Sequence, residues 1–434
     1  MNTTSDSSHY VPNAGDYLIA SKSCELMSLQ YFLRMGKMIQ CISNLVHGLQ
    51  RERGASNVFL GSAGTRFGVE RRELLEEADR LKQAFEQALA EIHEELTGDP
   101  VSSRLLNQIA IGLHDLEGLD ELRAGVAALS ITADCATESY STLIKNLIAI
   151  VFEAADTAVD PTIAGLLVAM VHLMNGKEFC GQERAVGSTG FSSGSFNTAQ
   201  SQRMMHLVEA QERCFQVFTS FADNDSLALW RDVSEHDRER SIKQLRELAS
   251  SVGRYKSLDP ELADQWFALM TDRIDALKAV EDSVEGCFHA RCAERYADAR
   301  ESLSHQETLI SSLEEEDKSP GQPVLLLCDS GEDEETAGSF ASGGVSQQFG
   351  RSIFELVQQQ SVRLQQMNDE LQSAREALAD RKLHEKAVLV LMNHRNISND
   401  EAHRVLRKLA MDQGKKLSEV ASSVIAMEEV LKRR

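Results

Sequence analysis

Arginines set among apolar helix positions are the residues of this chain best placed to do chemistry. Arg53, in QRERGAS, comes four residues after Leu49 and three before Ser56, on the helix side that also carries Ile42 and Leu60. A guanidinium pointing into a core is costly unless it meets an anion or a carboxylate. Arg184, in GQERAVGS, takes the matching place in a second copy of the motif, 131 residues further on. Arg238 precedes Ile242 and Leu245 by four and seven residues and also faces inward. Arg51 lies on another face of Arg53's helix, the one that carries Gly48 and Ala55. The chemistry open to such a set is capture of a small anion. The plain alternative for each arginine is a structural salt bridge.

A second basic set closes the chain. Residues 381–434 hold twelve Lys/Arg against seven Asp/Glu, a net of +5, in a protein of formal charge -22. Ser398 and Glu401 form an S-x-x-E capping box that starts a helix. Ala402, Val405, Leu406 and Leu409 make its inner face, and Arg404, Arg407 and Lys408 its outer face. Lys415 and Lys416 follow in the next turn. Cations at this density suit a polyanion; a solvated helix face is the alternative.

The elements that must position these residues are helices. Six prolines, against many Ala, Leu, Glu, Gln and Arg, favour helix nearly throughout. Periodicity predicts helices from about Met27 to Gly61, over Val69–Leu96, Val101–Leu129 and Ala136–Ala158, and from Pro161 to Cys180. The Gly/Ser-rich GSTGFSSGS stretch, Gly187–Ser195, reads as a bundle loop. Helix resumes through Phe221, breaks at DNDS, and continues over Ser234–Val252. A long helix with Phe267, Met270, Ile274, Leu277, Val284 and Phe288 on one face follows. The repeated motif in repeated context implies a paired helical bundle. An acidic Gly/Ser-rich stretch begins near Glu314 and reads as a flexible linker. Ile353, Val357, Gln360, Leu364, Met367, Leu371, Ala374 and Leu378 then alternate spacings of four and three, a coiled-coil seam suited to dimerisation.

Several function classes drop out. G-x-x-x-x-G-K-[ST], a strand-borne G-x-G-x-x-G, H-E-x-x-H and G-x-S-x-G are all missing, and no catalytic constellation or metal set replaces them. The eight cysteines are scattered without a C-x-x-C pair, as expected of reduced thiols in the cytoplasm. The polar N-terminus is not a signal peptide. The apolar tract Leu143–Met174 is broken by Glu153, Asp156, Asp160 and Pro161, which fits buried bundle helices better than a membrane span.

Two resemblances sharpen this outline. ADRKLHEKAVLVLM, ISNDEAHRVLRKLAM and KKLSEVASSVI resemble the ANTAR domain, the RNA-binding module of bacterial transcription antiterminators. Where that family has Ala-Lys-Gly, this chain has Ala387–Val388–Leu389. The resemblance implies binding of leader-transcript stem-loops by Arg404, Arg407, Lys408, Lys415 and Lys416, so that a terminator cannot form. LVHGLQRERGASNVFLGS and NGKEFCGQERAVGSTGFSSGSF, with the helices between them, resemble the NIT domain, an all-helical nitrate- and nitrite-sensing module. That implies a nitrate or nitrite ligand. An arginine fork fits two oxygens of planar nitrate, which makes Arg53, Arg51, Arg238 and Arg184 the candidate contacts.

The expected architecture is all-α. An N-terminal arm (1–26) precedes a sensor of paired four-helix bundles (27–312), an acidic flexible linker (313–349), a coiled coil (350–380) and a three-helix RNA-binding module (381–434). The expected function is nitrate/nitrite-responsive antitermination by a cytoplasmic homodimer that binds RNA, uses no cofactor and touches no membrane. The alternatives are a helical sensor of another small anion or of a partner protein controlling the same module, and a scaffold with a solubilising basic tail.

Overall fold

The computed structural model describes residues 14–93, 103–158, 160–250, 258–259, 261–317, 380, 382–392, 394–395, 397–413 and 415–432. Apart from residue 380, the expected coiled coil (350–380) lies outside them, as does the linker beyond residue 317. No strand occurs among the described residues. The chain divides into two compact units: residues 1–33 with 290–370, and residues 34–289 with 371–434.

In the first unit, helix α1 (Ala14–Gly61) begins thirteen residues earlier than the expected Met27. The arm expected over 1–26 is therefore helical from Ala14. Leu18, Lys22, Leu29 and Phe32 are buried at helical spacing, a pattern that the polar prefix before it obscures. The long helix α10 (Glu261–Asp317) contributes Cys292, Ala299 and Gln306, buried at intervals of seven. Its last residues are helical where linker is expected from 313.

In the second unit, α1 is followed by α2 (Gly68–Glu91), α3 (Ser103–Glu117), α4 (Leu119–Ala127) and α5 (Ala133–Asp156). Then come α6 (Pro161–Ser192), α7 (Thr198–Phe221), α8 (Asn224–Glu235), α9 (Asp237–Ser250) and α10. Starts are set by local chemistry. Asp160 accepts from the Thr162 and Ile163 amides ahead of Pro161, Asn197 and Gln200 form a capping box, and Asp223 accepts from the Asp225 and Ser226 amides. Two expectations are corrected. Helix α6 continues past Cys180 to Ser192, so most of Gly187–Ser195 is helix; the turn comes at Gly194, with φ of 70°. Gly187 and Gly190 are there because Trp266 and Phe196 leave no room for a β-carbon. The DNDS break is short and opens α8, which the periodicity missed.

Helix α6 is apolar nearly all round and is buried, as a central helix must be. It is long and apolar enough to cross a membrane, but 94% of that stretch is covered by protein. Both α1 and α6 run against α10 in the same sense. Ser43 and His47 meet Glu281 and Asp275, while Lys177 and Arg184 meet Glu281 and Thr271. The two motif-bearing helices are thus parallel neighbours. A buried polar network ties all three: Lys177 Nζ lies 2.6 Å from Glu281, Ser43 donates to Glu281 at 2.5 Å, and Lys278 donates to Ser43 at 2.7 Å.

The C-terminal residues of this unit form a small bundle: α11 (382–392), α12 (Asn399–Gln413) and α13 (Leu417–Lys432). Its core joins Ala387, Val390 and Leu391 to Ala402 and Leu406 and to Val420, Ala421 and Val424. The predicted capping box is present, with Ser398 N to Glu401 at 3.0 Å and Glu401 N to Ser398 Oγ at 3.3 Å. Val388 is buried in this core, while Leu389 is exposed.

Candidate functional site

The repeated motif builds two equivalent half-sites. In the first, Glu52 is buried and held by Arg123 of α4 through two bonds of 2.8 Å and by the Tyr140 hydroxyl at 2.6 Å. In the second, Glu183 is buried and held by Arg246 of α9 at 2.6 and 2.7 Å and by Gln211 of α7 at 2.7 Å. These clamps fix the rotation of α1 and α6, and so direct the next residue of each motif, Arg53 and Arg184, into the space between the two helices.

The two arginines are seated reciprocally. Arg53 passes over Gly181, and Arg184 passes over Gly54; a β-carbon at either glycine would collide with the guanidinium opposite. Arg53 Nη1 donates to Ser141 of α5 at 2.7 Å, and Arg184 Nη1 donates to Thr271 of α10 at 2.8 Å. Arg184 Nη2 also donates to the Gln50 carbonyl at 2.9 Å, which joins the half-sites into one buried locus.

Their charges are balanced differently. The Arg53 fork holds Glu178 of α6, with Nη1 to Oε1 at 2.5 Å and Nη2 to Oε2 at 3.1 Å. Gln50 and Gln182 each donate to the same carboxylate at 3.0 Å. Arg184 is hydrogen-bonded to no carboxylate among the described residues; its guanidinium lies over the Phe267 ring at 4.9 Å. Burial, and then the charge of Arg53, bring its pKa down to about 10, which leaves it cationic at neutral pH in a place that favours an anion. His47 stands 131 residues before Glu178, the separation of the two motif copies, and so takes its place in the first copy; burial and the surrounding Lys177, Lys278, Arg51 and Arg184 push it down to about 2, so it is neutral.

Of the four arginines expected to meet an anion, the structure brings Arg53 and Arg184 together. Arg51 turns to α2, where its Nη1 bonds both oxygens of Glu77 at 2.8 Å, and it is part-exposed. Arg238 is buried, but it pairs with Asp272 of α10. The hydrogen-bonded salt-bridge partners are residues of other helices, since neighbours on one helix do not face each other; the adjacent Glu239 makes only a longer contact of 3.6 Å with Arg238 Nε. Glu178, Gln50 and Gln182 were not singled out from the sequence, although Glu178 lies three residues before Gly181, at the spacing that puts both on one helix face.

The basic module is arranged unequally. Arg404, Lys408, Lys415 and Lys416 are exposed. Arg407 is instead directed at α7, where it pairs with Glu209 and lies 3.1 Å from His206 Nε2. His403 packs between His206 and His384, its Nδ1 2.9 Å from His384 Nε2. Lys382 of α11 reaches Glu153 and Asp156 of α5 at 3.5 and 3.4 Å and covers the Phe152 ring. Among the described residues, no group of three or more His, Cys, Asp or Glu could hold a metal ion.

Residues 44–288 match the family described as nitrate and nitrite sensing. This chain belongs to that family. The NIT match spans both half-sites, and residues 372–425 match the ANTAR domain. A curated relative, the nitrate regulatory protein of Klebsiella oxytoca, is 31% identical over 417 residues, 96% of this chain and 96% of its own length. The solved structure of the NasR transcription antiterminator is 30% identical, covers 96% of this chain and 100% of its own, and has a TM-score of 0.59. A NIT sensor joined to an ANTAR module is a regulatory protein and not an enzyme.

Proposed function

We propose that this NIT protein senses nitrate or nitrite at the Arg53–Arg184 locus and thereby controls an RNA-binding ANTAR module that prevents transcription termination. The observation that carries the reading is the single helix joining the two ends. Glu183, next to Arg184, is bonded to Gln211 of α7 at 2.7 Å. Two residues back on α7, Glu209 grips Arg407 of the module. An anion that repositions Arg184 therefore bears on the helix that holds an RNA-contacting arginine, which is the two-ended element a switch requires.

The ligand is held without a cofactor. Planar nitrate offers two oxygens to one guanidinium fork and the third to the other, and a dry site makes those charge-assisted bonds strong. Arg51 adds some positive potential from the flank, as it does at His47, while Arg238 is neutralised by Asp272. Arg404, Arg407, Lys408, Lys415 and Lys416 contact the phosphates of leader stem-loops. A homodimer built on the 350–380 coiled coil would present two such faces to paired hairpin loops in the cytoplasm, where nascent transcripts are.

Calorimetric titration of nitrate into the full chain, with leader-hairpin binding measured with and without nitrate, tests this. Binding of the anion should tighten binding of the RNA. Equal RNA affinity in the two conditions would overturn the switch.

A further inference from the structure

The Arg53 fork is already filled. Glu178 presents two oxygens in a plane to the two terminal nitrogens, the same edge that nitrate or nitrite would present. Four donors converge on it, two from Arg53 and one each from Gln50 and Gln182. Both carboxylate oxygens are thus satisfied, and the group is buried. Fork and anion cannot pair while Glu178 stays there, since both need the same two N–H groups.

The second half-site shows what the first would be without it. Arg184 has a hydroxyl and a carbonyl as acceptors, and the position equivalent to Glu178 is His47, which is neutral. Among the described residues only one carboxylate, Glu178, is hydrogen-bonded to the two buried guanidiniums, while the half-exposed Asp275 acts on Arg184 through space, which leaves a deficit of paired negative charge at the locus. Replacing Glu178 by an unattached anion at Arg53 alone would leave that deficit unchanged. Adding an anion between Arg53 and Arg184 removes it, with Glu178 swinging onto Gln182 and Gln50.

We infer that Glu178 is a tethered competitor: in the ligand-free protein its carboxylate occupies the anion's place on Arg53, and the incoming oxyanion binds by displacing it. This rests on the reading that nitrate or nitrite is bound at the Arg53–Arg184 locus. Two consequences follow. Affinity is set below what two buried arginines would deliver, because only the displaced form is competent. The movement of Glu178 on α6, five residues before Glu183, is also the first mechanical event of sensing.

The test is calorimetric titration of sodium nitrate into the full-length wild type and the Arg53→Ala, Glu178→Gln and Glu178→Asp variants, with circular dichroism to confirm that each is folded. Glu178→Gln keeps the size and one hydrogen-bond acceptor but removes the competing charge, and nitrate should bind about tenfold tighter or more. Glu178→Asp keeps the charge on a shorter arm that cannot span the fork, and should also tighten binding, by less. If the wild type binds nitrate, Arg53→Ala does not, and the folded Glu178 variants bind no more tightly than wild type, Glu178 is a structural partner only and the inference is overturned. If Arg53→Ala binds nitrate like the wild type, the site itself lies elsewhere and the functional reading falls instead.

Discussion

Arg53 crosses Gly181 with no space between them, so that a β-carbon at 181 would collide with its Nη2. Gly54 bears the same relation to Arg184. The glycine requirement here is one of close approach, since both residues sit inside helices, where glycine by itself is unfavourable by about 0.5–1 kcal/mol relative to alanine. Gly181→Ala should therefore lose, through overpacking, about 1–3 kcal/mol of stability and not gain helix propensity. Urea denaturation measures the loss, and nitrate titration of the folded fraction should show binding at least severalfold weaker. A more stable variant would show that the guanidinium moves aside freely.

The Arg53–Glu178 pair should behave as a buried ion pair. Arg53→Ala leaves a carboxylate without its main partner and should cost about 3–5 kcal/mol. The double variant Arg53→Met/Glu178→Leu removes both charges and should recover most of that stability while binding no nitrate. Thermal and urea unfolding of the two single variants and the double variant give the coupling. Additive losses would mean that the pair is not coupled in solution.

Docking of the RNA-binding module should depend on pH. Burial, followed by His384, His206, Arg213 and Lys145, pushes His403 from the ordinary 6.5 to about 3. The groups facing it are Lys145 from α5, His206, Glu209 and Arg213 from α7, and His384 and Arg407 from the module itself; Glu209 is already engaged by Arg407. The docked state thus binds His403 neutral, whereas an undocked His403 takes up a proton below about 6.5. Docking is unaffected above that pH and weakens as pH falls through it, by up to about tenfold per pH unit. Hydrogen exchange of α12 between pH 7.5 and 5.5, corrected for intrinsic rates, should show the loss. His403→Gln should abolish the dependence; a pH-independent wild type would contradict it.

Glu209 holds Arg407 at a part-exposed site, so the pair is worth only about 0.2–1 kcal/mol after screening. Glu209→Gln should raise RNA affinity in the absence of nitrate by a few-fold and leave nitrate-saturated affinity unchanged. Arg407→Ala should lower RNA affinity in both states and flatten its salt dependence. Electrophoretic mobility shifts over a salt series separate the two. If Glu209→Gln left the nitrate-free affinity at the wild-type value, the Arg407 contact would carry no restraint.

The locus was half legible in the chain. QRERGAS and GQERAVGS marked Arg53 and Arg184 as inward-facing equivalents, and both are buried and meet across α1 and α6. Arg238 reads as inward-facing by the same periodicity and Arg51 as lying on another face of the Arg53 helix, yet their side chains turn to Asp272 and Glu77. A helical wheel gives the direction of a side chain and not the neighbour it finds there. Glu178 escaped because a carboxylate in an acidic protein carries no signal until an arginine faces it. The missed stretches have equally local causes. Gly187 and Gly190 read as a loop because glycine is a poor helix former, but Trp266 and Phe196 require it inside α6.

By itself the sequence determined most of the helices, the Ser398 cap, the repeated motif, the basic module and the family, because periodicity, capping and motif spacing are properties of contiguous residues. Only the tertiary structure decided that α1 and α6 lie parallel and in register, which arginines share a site, that Glu178 occupies the fork, and that Arg407 is turned from solvent to Glu209. Those are facts about pairs more than a hundred residues apart in the chain, and their geometry is settled by which helix faces bury against each other.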